Sequence, residues 1–205
     1  MHGNGGSAHG AVRARLRVAI VSGNIFFAVD LVDETRHALA ASLSDSGAAA
    51  RIPGRRTRPS NWHITLRFIG EADEVQIDRL AERVERLLRL SAPGRGTATV
   101  ENLGAFPRQA KATVLYASIT DRSGLLSTLA GICDEAATDV GFEPEGRPFV
   151  PHLTLARIRP PRDVRSIIDA IEFVPIRIEI GAVTLFRTKS TAKGPIYVPL
   201  YSCEL

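Results

Sequence analysis

The sequence predicts a two-lobed fold mixing helices and strands, on two observations. A His-apolar-Thr-Leu tetrad occurs twice, as His63-Ile-Thr65-Leu and as His152-Leu-Thr154-Leu, each inside a short apolar run that reads as a mostly buried strand. The surroundings repeat too. Strand Phe26–Leu31, a helix and the His63 strand are followed by strand Val114–Ile119, a helix and the His152 strand. Each half also has an apolar strand ending in Phe (Phe106, Phe186), then a basic turn and a strand holding Tyr (Tyr116, Tyr197). A duplicated strand-helix-strand unit predicts two lobes about a pseudo-twofold axis, with the two His-Thr strands facing each other across a cleft.

Taken in order, residues 1–22 run from a Gly-rich start into Arg13, Arg15 and Arg17 and read as a flexible basic arm ahead of one two-lobed domain over 23–205. Ile25–Leu31 is a buried strand by composition, and Asp33 caps a helix to about Leu43. Residues 47–60 carry Arg51, Arg55, Arg56 and Arg58 among Gly and Pro, a mobile basic loop suited to phosphate contact or to plain solvation. After the Trp62–Ile69 strand, Gly70 breaks the run, and apolar residues at Val75, Leu80, Val84, Leu87 and Leu88 give a helix ending near Leu90. A strand at Thr97–Leu103 leads through a basic turn at Arg108 and Lys111 to a strand at Thr113–Ile119. Asp121 caps a helix to about Val140, closed by Gly141. Beyond the second His strand the pattern gives a short helix over Arg162–Ile171 and strands near Ile176–Ile180, Ala182–Arg187 and Ile196–Cys203. Residues 188–194, with Lys189 and Lys193, form a basic hairpin loop between the last two.

A chain of 205 residues buries enough surface to fold without metals or disulfides. Net charge is +4, with Arg far outnumbering Lys and a sequence pI of about 9.5, which favours a polyanionic partner such as RNA. Cys133 and Cys203 stand outside any Cys-x-x-Cys or Cys/His cluster and read as reduced structural thiols of a cytoplasmic protein. No apolar run approaches the ~18 residues of a membrane span, and residues 16–30 lack a signal-peptide layout.

Of the five histidines, only His63 and His152 lie in strand-like runs, and both have Thr at the second following position. Side chains on a strand alternate, so each His shares a face with its Thr. Two imidazoles brought together give one proton and take another near neutral pH, while paired threonine hydroxyls donate to the non-bridging oxygens of a phosphate. No Asp/Glu cluster accompanies the histidines, so no metal is expected. Acid-plus-base attack without metal suits an activated phosphodiester such as a strained 2',3'-cyclic phosphate, which requires the 2'-hydroxyl of RNA. Arg67 shares parity with His63 and Thr65 and is a candidate substrate contact, the alternative being a solvent-facing position. Phe149, three before His152, is a candidate to stack a base or to join the core.

The sequence resembles the two-histidine phosphoesterases, and within them the bacterial and archaeal RNA 2',3'-cyclic phosphodiesterases, historically called 2'-5' RNA ligases. The resemblance runs from about Ile25 to Leu205. It rests on both His-x-Thr motifs, Phe26–Asp30, Asn61–Glu71, Gly141–Pro144, Arg147-Pro148-Phe149 and the closing Leu185-Phe186 through Leu200. It implies a bilobal α+β fold with two antiparallel sheets flanking a central cleft, helices outside. The implied reaction is hydrolysis of a 2',3'-cyclic phosphate to a 2'-phosphomonoester with neither metal nor nucleotide cofactor. His63 matches the acid that protonates the departing O3' and His152 the base that activates water, roles the chemistry alone does not distinguish. Thr65 and Thr154 match phosphate-binding threonines, and Arg157 matches an arginine on the phosphate. Simple alternation puts Arg157 on the face opposite His152, so a bulge or the strand's end must swing it inward.

Two other readings stand beside this one. The same residues serve the reverse reaction, joining RNA halves through a 2'-5' bond. A non-catalytic RNA-binding module would use the basic loops at 51–58 and 188–193 and have no need of two imidazoles. RNA is the expected partner, a membrane is not, and the internal duplication favours a monomer.

Overall fold

The computed structural model describes residues 14–15, 23–171, 174–192 and 194–205. Along the chain these form β1 (Ala14–Arg15), β2 (Ile25–Asp30), α1 (Asp33–Asp45), α2 (Ala48–Arg51), β3 (Arg55–Arg56), β4 (His63–Gly70), α3 (Glu74–Ser91), β5 (Gly96–Phe106), β6 (Ala112–Thr120), α4 (Leu125–Val140), β7 (His152–Arg162), α5 (Arg165–Asp169), β8 (Ile176–Ile180), β9 (Ala182–Thr191) and β10 (Gly194–Glu204). The fold is α+β, with an antiparallel sheet curled into a half-barrel. Nine of its ten strands follow one path, β1-β10-β9-β2-β4-β7-β6-β5-β8, and β3 is added to β7.

The expectation of two separate sheets is therefore corrected. One sheet runs through, and its halves meet at the Ile64–Leu153 pairing of β4 with β7. Both side chains of that pair are fully buried, so the seam is set by apolar packing, roughly 1.5–3 kcal/mol for each such side chain. The histidine strands are neighbours in the sheet and do not face one another from opposite sheets. The Phe-turn-Tyr hairpins also sit differently: β6, with Tyr116, pairs directly with β7, whereas β9 and β2 separate β10, with Tyr197, from β4.

The helices pack on the side of the sheet away from the histidines. Helix α3 buries Ile77, Leu80, Ala81, Val84, Leu87 and Leu88, the i, i+3, i+4, i+7 stripe that the sequence shows. A capping box starts it: Gln76 N–H donates to Asp73 Oδ1 at 2.8 Å, and Asp73 N–H donates to Gln76 Oε1 at 3.0 Å. Helix α4 lies against α3 and β4 and buries Leu126, Leu129, Cys133, Ala136 and Ala137. Both cysteines are buried thiols.

Several boundaries differ from the sequence reading, for local reasons. Asp33 is the first helical residue of α1 and Val32 its N-cap, because the Asp33 carboxylate turns along the helix to Arg36. Helix α4 begins at Leu125 and not at Asp121, whose carboxylate reaches forward to the Leu126 and Ser123 amides across a turn. Strand β7 runs on to Arg162, which leaves only Arg165–Asp169 helical. The loop expected to be mobile is instead α2, then β3 paired with β7, then a 3-10 turn at Pro59–Asn61. Of the arm over 1–22, only Ala14 and Arg15 are described, opposite Ser202 and Tyr201; the rest lies outside the described residues, as does Lys193 of the last hairpin. Among the described residues no helix is long and apolar enough to cross a membrane.

Candidate active site

An antiparallel pair has local twofold geometry, so the Ile64–Leu153 pairing sets His63 opposite Thr154 and Thr65 opposite His152. All four side chains point to the face opposite the buried Ile64 and Leu153 and are partly exposed. The sheet thus gathers two imidazoles and two hydroxyls into a quartet on one face.

Both rings are held in the same way. His63 Nδ1 lies 2.8 Å from the Asn61 carbonyl oxygen, and His152 Nδ1 lies 2.7 Å from that of Val150. A carbonyl only accepts, so each Nδ1 carries the proton and the neutral ring keeps its lone pair on Nε2. In His63 that nitrogen is 3.0 Å from Thr65 Oγ1, whose hydroxyl donates to it. Aromatic rings fix the remaining orientation. Phe26 and Tyr197 each lie 4.9 Å from the His63 ring, and Phe106 and Tyr116 lie 5.1 and 5.3 Å from that of His152.

Burial lowers the pKa of His63 from 6.5 to about 4, partly opposed by the Asn61 hydrogen bond and reinforced by His152, Arg36 and Arg157. His152 is lowered as well, by burial first and then by Arg157, again opposed by its carbonyl partner. Both rings are neutral at pH 7 in the free protein.

Each histidine strand carries one extra residue just after its threonine, and this decides where the arginines go. On β7, Thr154 lies opposite Tyr116, Ala156 opposite Leu115 and Arg157 opposite Val114. The bulge restores Arg157 to the face of His152, as alternation alone would not. On β4 the same shift occurs: Thr65 lies opposite Ala28, but Arg67 lies opposite the buried Phe27. Arg67, expected on the histidine face, is therefore turned into the helical layer. There it is 9% exposed, pairs with Asp134 at 2.7 Å and Glu145 at 3.7 Å, and donates to the carbonyls of Phe68 and Glu143. Phe68 takes the vacated place, 51% exposed and directly opposite Phe26. Phe149, the other candidate contact, is partly buried against the main core.

Sequence reasoning missed six contributors. Phe26, Tyr197, Phe106 and Tyr116 looked like core or hairpin residues, and their aromatic character was the available signal. Arg36 was hidden on a helix; it donates to the Trp62 carbonyl at 3.0 Å and pairs with Asp30, which lies opposite His63. Asn61, just before the motif, holds Pro195 O through its side chain at 2.7 Å while its carbonyl orients His63.

A sequence model of the 2'-5' RNA ligase superfamily matches residues 26–192, which include both His-x-Thr strands. The chain belongs to the 2'-5' RNA ligase superfamily. Among the superfamily's curated relatives, an RNA 2',3'-cyclic phosphodiesterase of Aeropyrum pernix is 34% identical over 170 residues, covering 80% of this chain and 93% of that one. One of the same name from Thermotoga maritima is 32% identical over 145 residues, covering 70% and 75%. The crystal structure of E. coli LigT with 3'-AMP shares the fold at a TM-score of 0.69 and 23% identity, covering 90% of this chain and 99% of that one.

Proposed function

We propose that this superfamily member hydrolyses RNA 2',3'-cyclic phosphate ends to 2'-phosphomonoesters, without a metal or nucleotide cofactor. The observation that carries the reading is the quartet: two Nδ1-anchored imidazoles that keep the Nε2 lone pair, on one face with two threonine hydroxyls. His152 takes a proton from water, the water oxygen attacks phosphorus, the P–O3' bond breaks, and His63 protonates the departing O3'. Thr65, Thr154 and Arg157 hold the non-bridging oxygens and meet charge as it develops. Since His63 is neutral at pH 7 when free, it takes up its proton as the phosphate anion binds beside it. Phe68, exposed on the same face, offers a surface for the terminal base. The requirement for a 2'-oxygen makes the enzyme selective for RNA.

The relatives' names, the cationic side of the site and the sequence pI of about 9.5 support an RNA substrate. The reading extends to residues 23–205 as one two-lobed domain built by duplication, preceded by a basic arm and acting as a monomer. The two buried thiols fit the reducing cytoplasm. The test is a short RNA ending in a 2',3'-cyclic phosphate, incubated with the protein in excess EDTA, its product separated as 2'- or 3'-phosphate. A 2'-phosphate is expected; turnover only on restoring metal, or none, overturns the reading.

A further inference from the structure

Beside the quartet lies a cationic cavity of about 250 Å³, lined by Arg55, Arg56, Arg58, Asn61, Arg157 and Tyr197. Three of these residues also belong to the surroundings of the histidines: Asn61 and Tyr197 contact His63, and Arg157 acts on both rings. The cavity therefore adjoins the catalytic centre and is walled by β3, Arg157 of β7 and the start of β10.

Its arginines are held in place. β3 is added to β7 with Arg55 opposite Arg157 and Arg56 opposite Ala156, and the Thr57 amide donates to Leu155 O at 2.7 Å. Gly54 allows the close approach: at φ +80°, a Cβ there would stand 2.5 Å from the Arg157 carbonyl oxygen. The strand pairing therefore sets two arginines opposite one another on the histidine face, both lining the cavity. Like charges so placed oppose folding, and among the described residues no carboxylate pairs with Arg55 or Arg157. An anion between them removes the repulsion and gains charge-assisted hydrogen bonds.

We propose that this cavity is a subsite for a second phosphate of the RNA, the phosphodiester on the 5' side of the terminal nucleotide. It rests on the function proposed above and deepens it: the preferred substrate is an oligonucleotide end, and a 2',3'-cyclic mononucleotide fills only the catalytic half. Arg157 sits between the two phosphates, and Arg55 belongs to the upstream one. The volume of about 250 Å³ accommodates a phosphodiester group.

The test compares three substrates: a 2',3'-cyclic mononucleotide, a dinucleotide ending in a 2',3'-cyclic phosphate, and the same dinucleotide with an uncharged methylphosphonate linkage. For the wild-type protein, kcat/KM on the charged dinucleotide exceeds that on the methylphosphonate by about tenfold, the worth of one charge-assisted contact. Arg55→Gln abolishes that preference and changes turnover of the mononucleotide by less than about twofold, while Arg55→Lys restores part of it. Equal rates on the two dinucleotides, or an Arg55→Gln loss shared by all three substrates, overturns the subsite. Failure of the wild type to turn over any of them rejects the catalytic reading instead. Titration binding of the same two dinucleotides then decides the subsite: a charge preference lost in Arg55→Gln supports it, and equal affinities overturn it.

Discussion

Phe68 stands to His63 as Arg157 stands to His152: each lies five positions on, past a one-residue bulge that brings it to the histidine face. One strand thus contributes an aromatic surface where the other contributes a charge. Phe68→Ala should raise KM for RNA ends by the equivalent of about 1–3 kcal/mol of stacking and leave kcat little changed. In the proposed mechanism the charge of Arg157 meets the transition state, so Arg157→Ala should lower kcat by roughly 10²-fold. Steady-state kinetics on one cyclic-phosphate RNA separates the two; a kcat loss in Phe68→Ala would contradict the division.

Arg67 gives the opposite expectation. Its guanidinium joins β4 to α4 and to the segment at 143–145 through Asp134, Glu145 and the Glu143 carbonyl. Arg67→Ala leaves Asp134 without its partner at a half-buried site and should cost about 2–4 kcal/mol of stability. Urea unfolding should show that loss, while kcat/KM of the folded fraction stays within a few-fold of wild type. A large loss of kcat/KM at unchanged stability would return Arg67 to the site.

These two arginines mark how far the sequence could be read. The twin His-x-Thr strands, the order of most elements and the apolar stripe of α3 were legible because each follows a local period. The Ile64–Leu153 seam was not, since pairing between residues so far apart in sequence leaves no local trace. The bulges were half legible. Arg157 needed one to reach the site, and that need was apparent; nothing in the sequence around Leu66 announced the matching bulge that removes Arg67 and presents Phe68. The docking of Arg55–Arg56 on β7 was hidden for the same reason, because Gly and Pro nearby suggest a loop whether or not it finds a strand to join.

The histidine pKa values set the pH dependence. In the free protein one limb of the kcat/KM profile belongs near pH 4, from His63, and the other below 6.5, from His152. The expected result is a bell centred on the acid side of pH 6.5, with the kcat profile reaching to higher pH because bound phosphate raises His63. Stability follows a related rule. His63 takes up a proton at about 4 when folded and near 6.5 when unfolded, so the unfolded chain binds protons first as pH falls. The stabilisation is whole above pH 6.5 and is lost on descending towards pH 4, by at most about 3 kcal/mol. Urea midpoints at pH 7 and pH 4.5 should fall further apart for wild type than for His63→Asn; equal spacing would mean that the ring is not held neutral by burial.

Gly104 supplies a test of how closely His152 is positioned. It lies on β5 directly opposite Tyr116, and a Cβ there would stand 2.4 Å from the Tyr116 ring. That ring lies across the glycine, stacked on Phe106 at 4.4 Å, and presents itself to His152 at 5.3 Å. Gly104→Ala must displace the ring, because the far atoms of the phenol, not a flexible tail, occupy the space. Misplacing a reacting group by about 1 Å can cost on the order of 10²-fold in rate, so kcat should fall by about 10- to 100-fold. Tyr116→Ala removes the contact altogether; combined with Gly104→Ala it should cost little beyond Tyr116→Ala alone, since the glycine then has no ring to accommodate. Additive losses in that double-mutant cycle would show that Gly104 acts through β5 itself and not through the tyrosine.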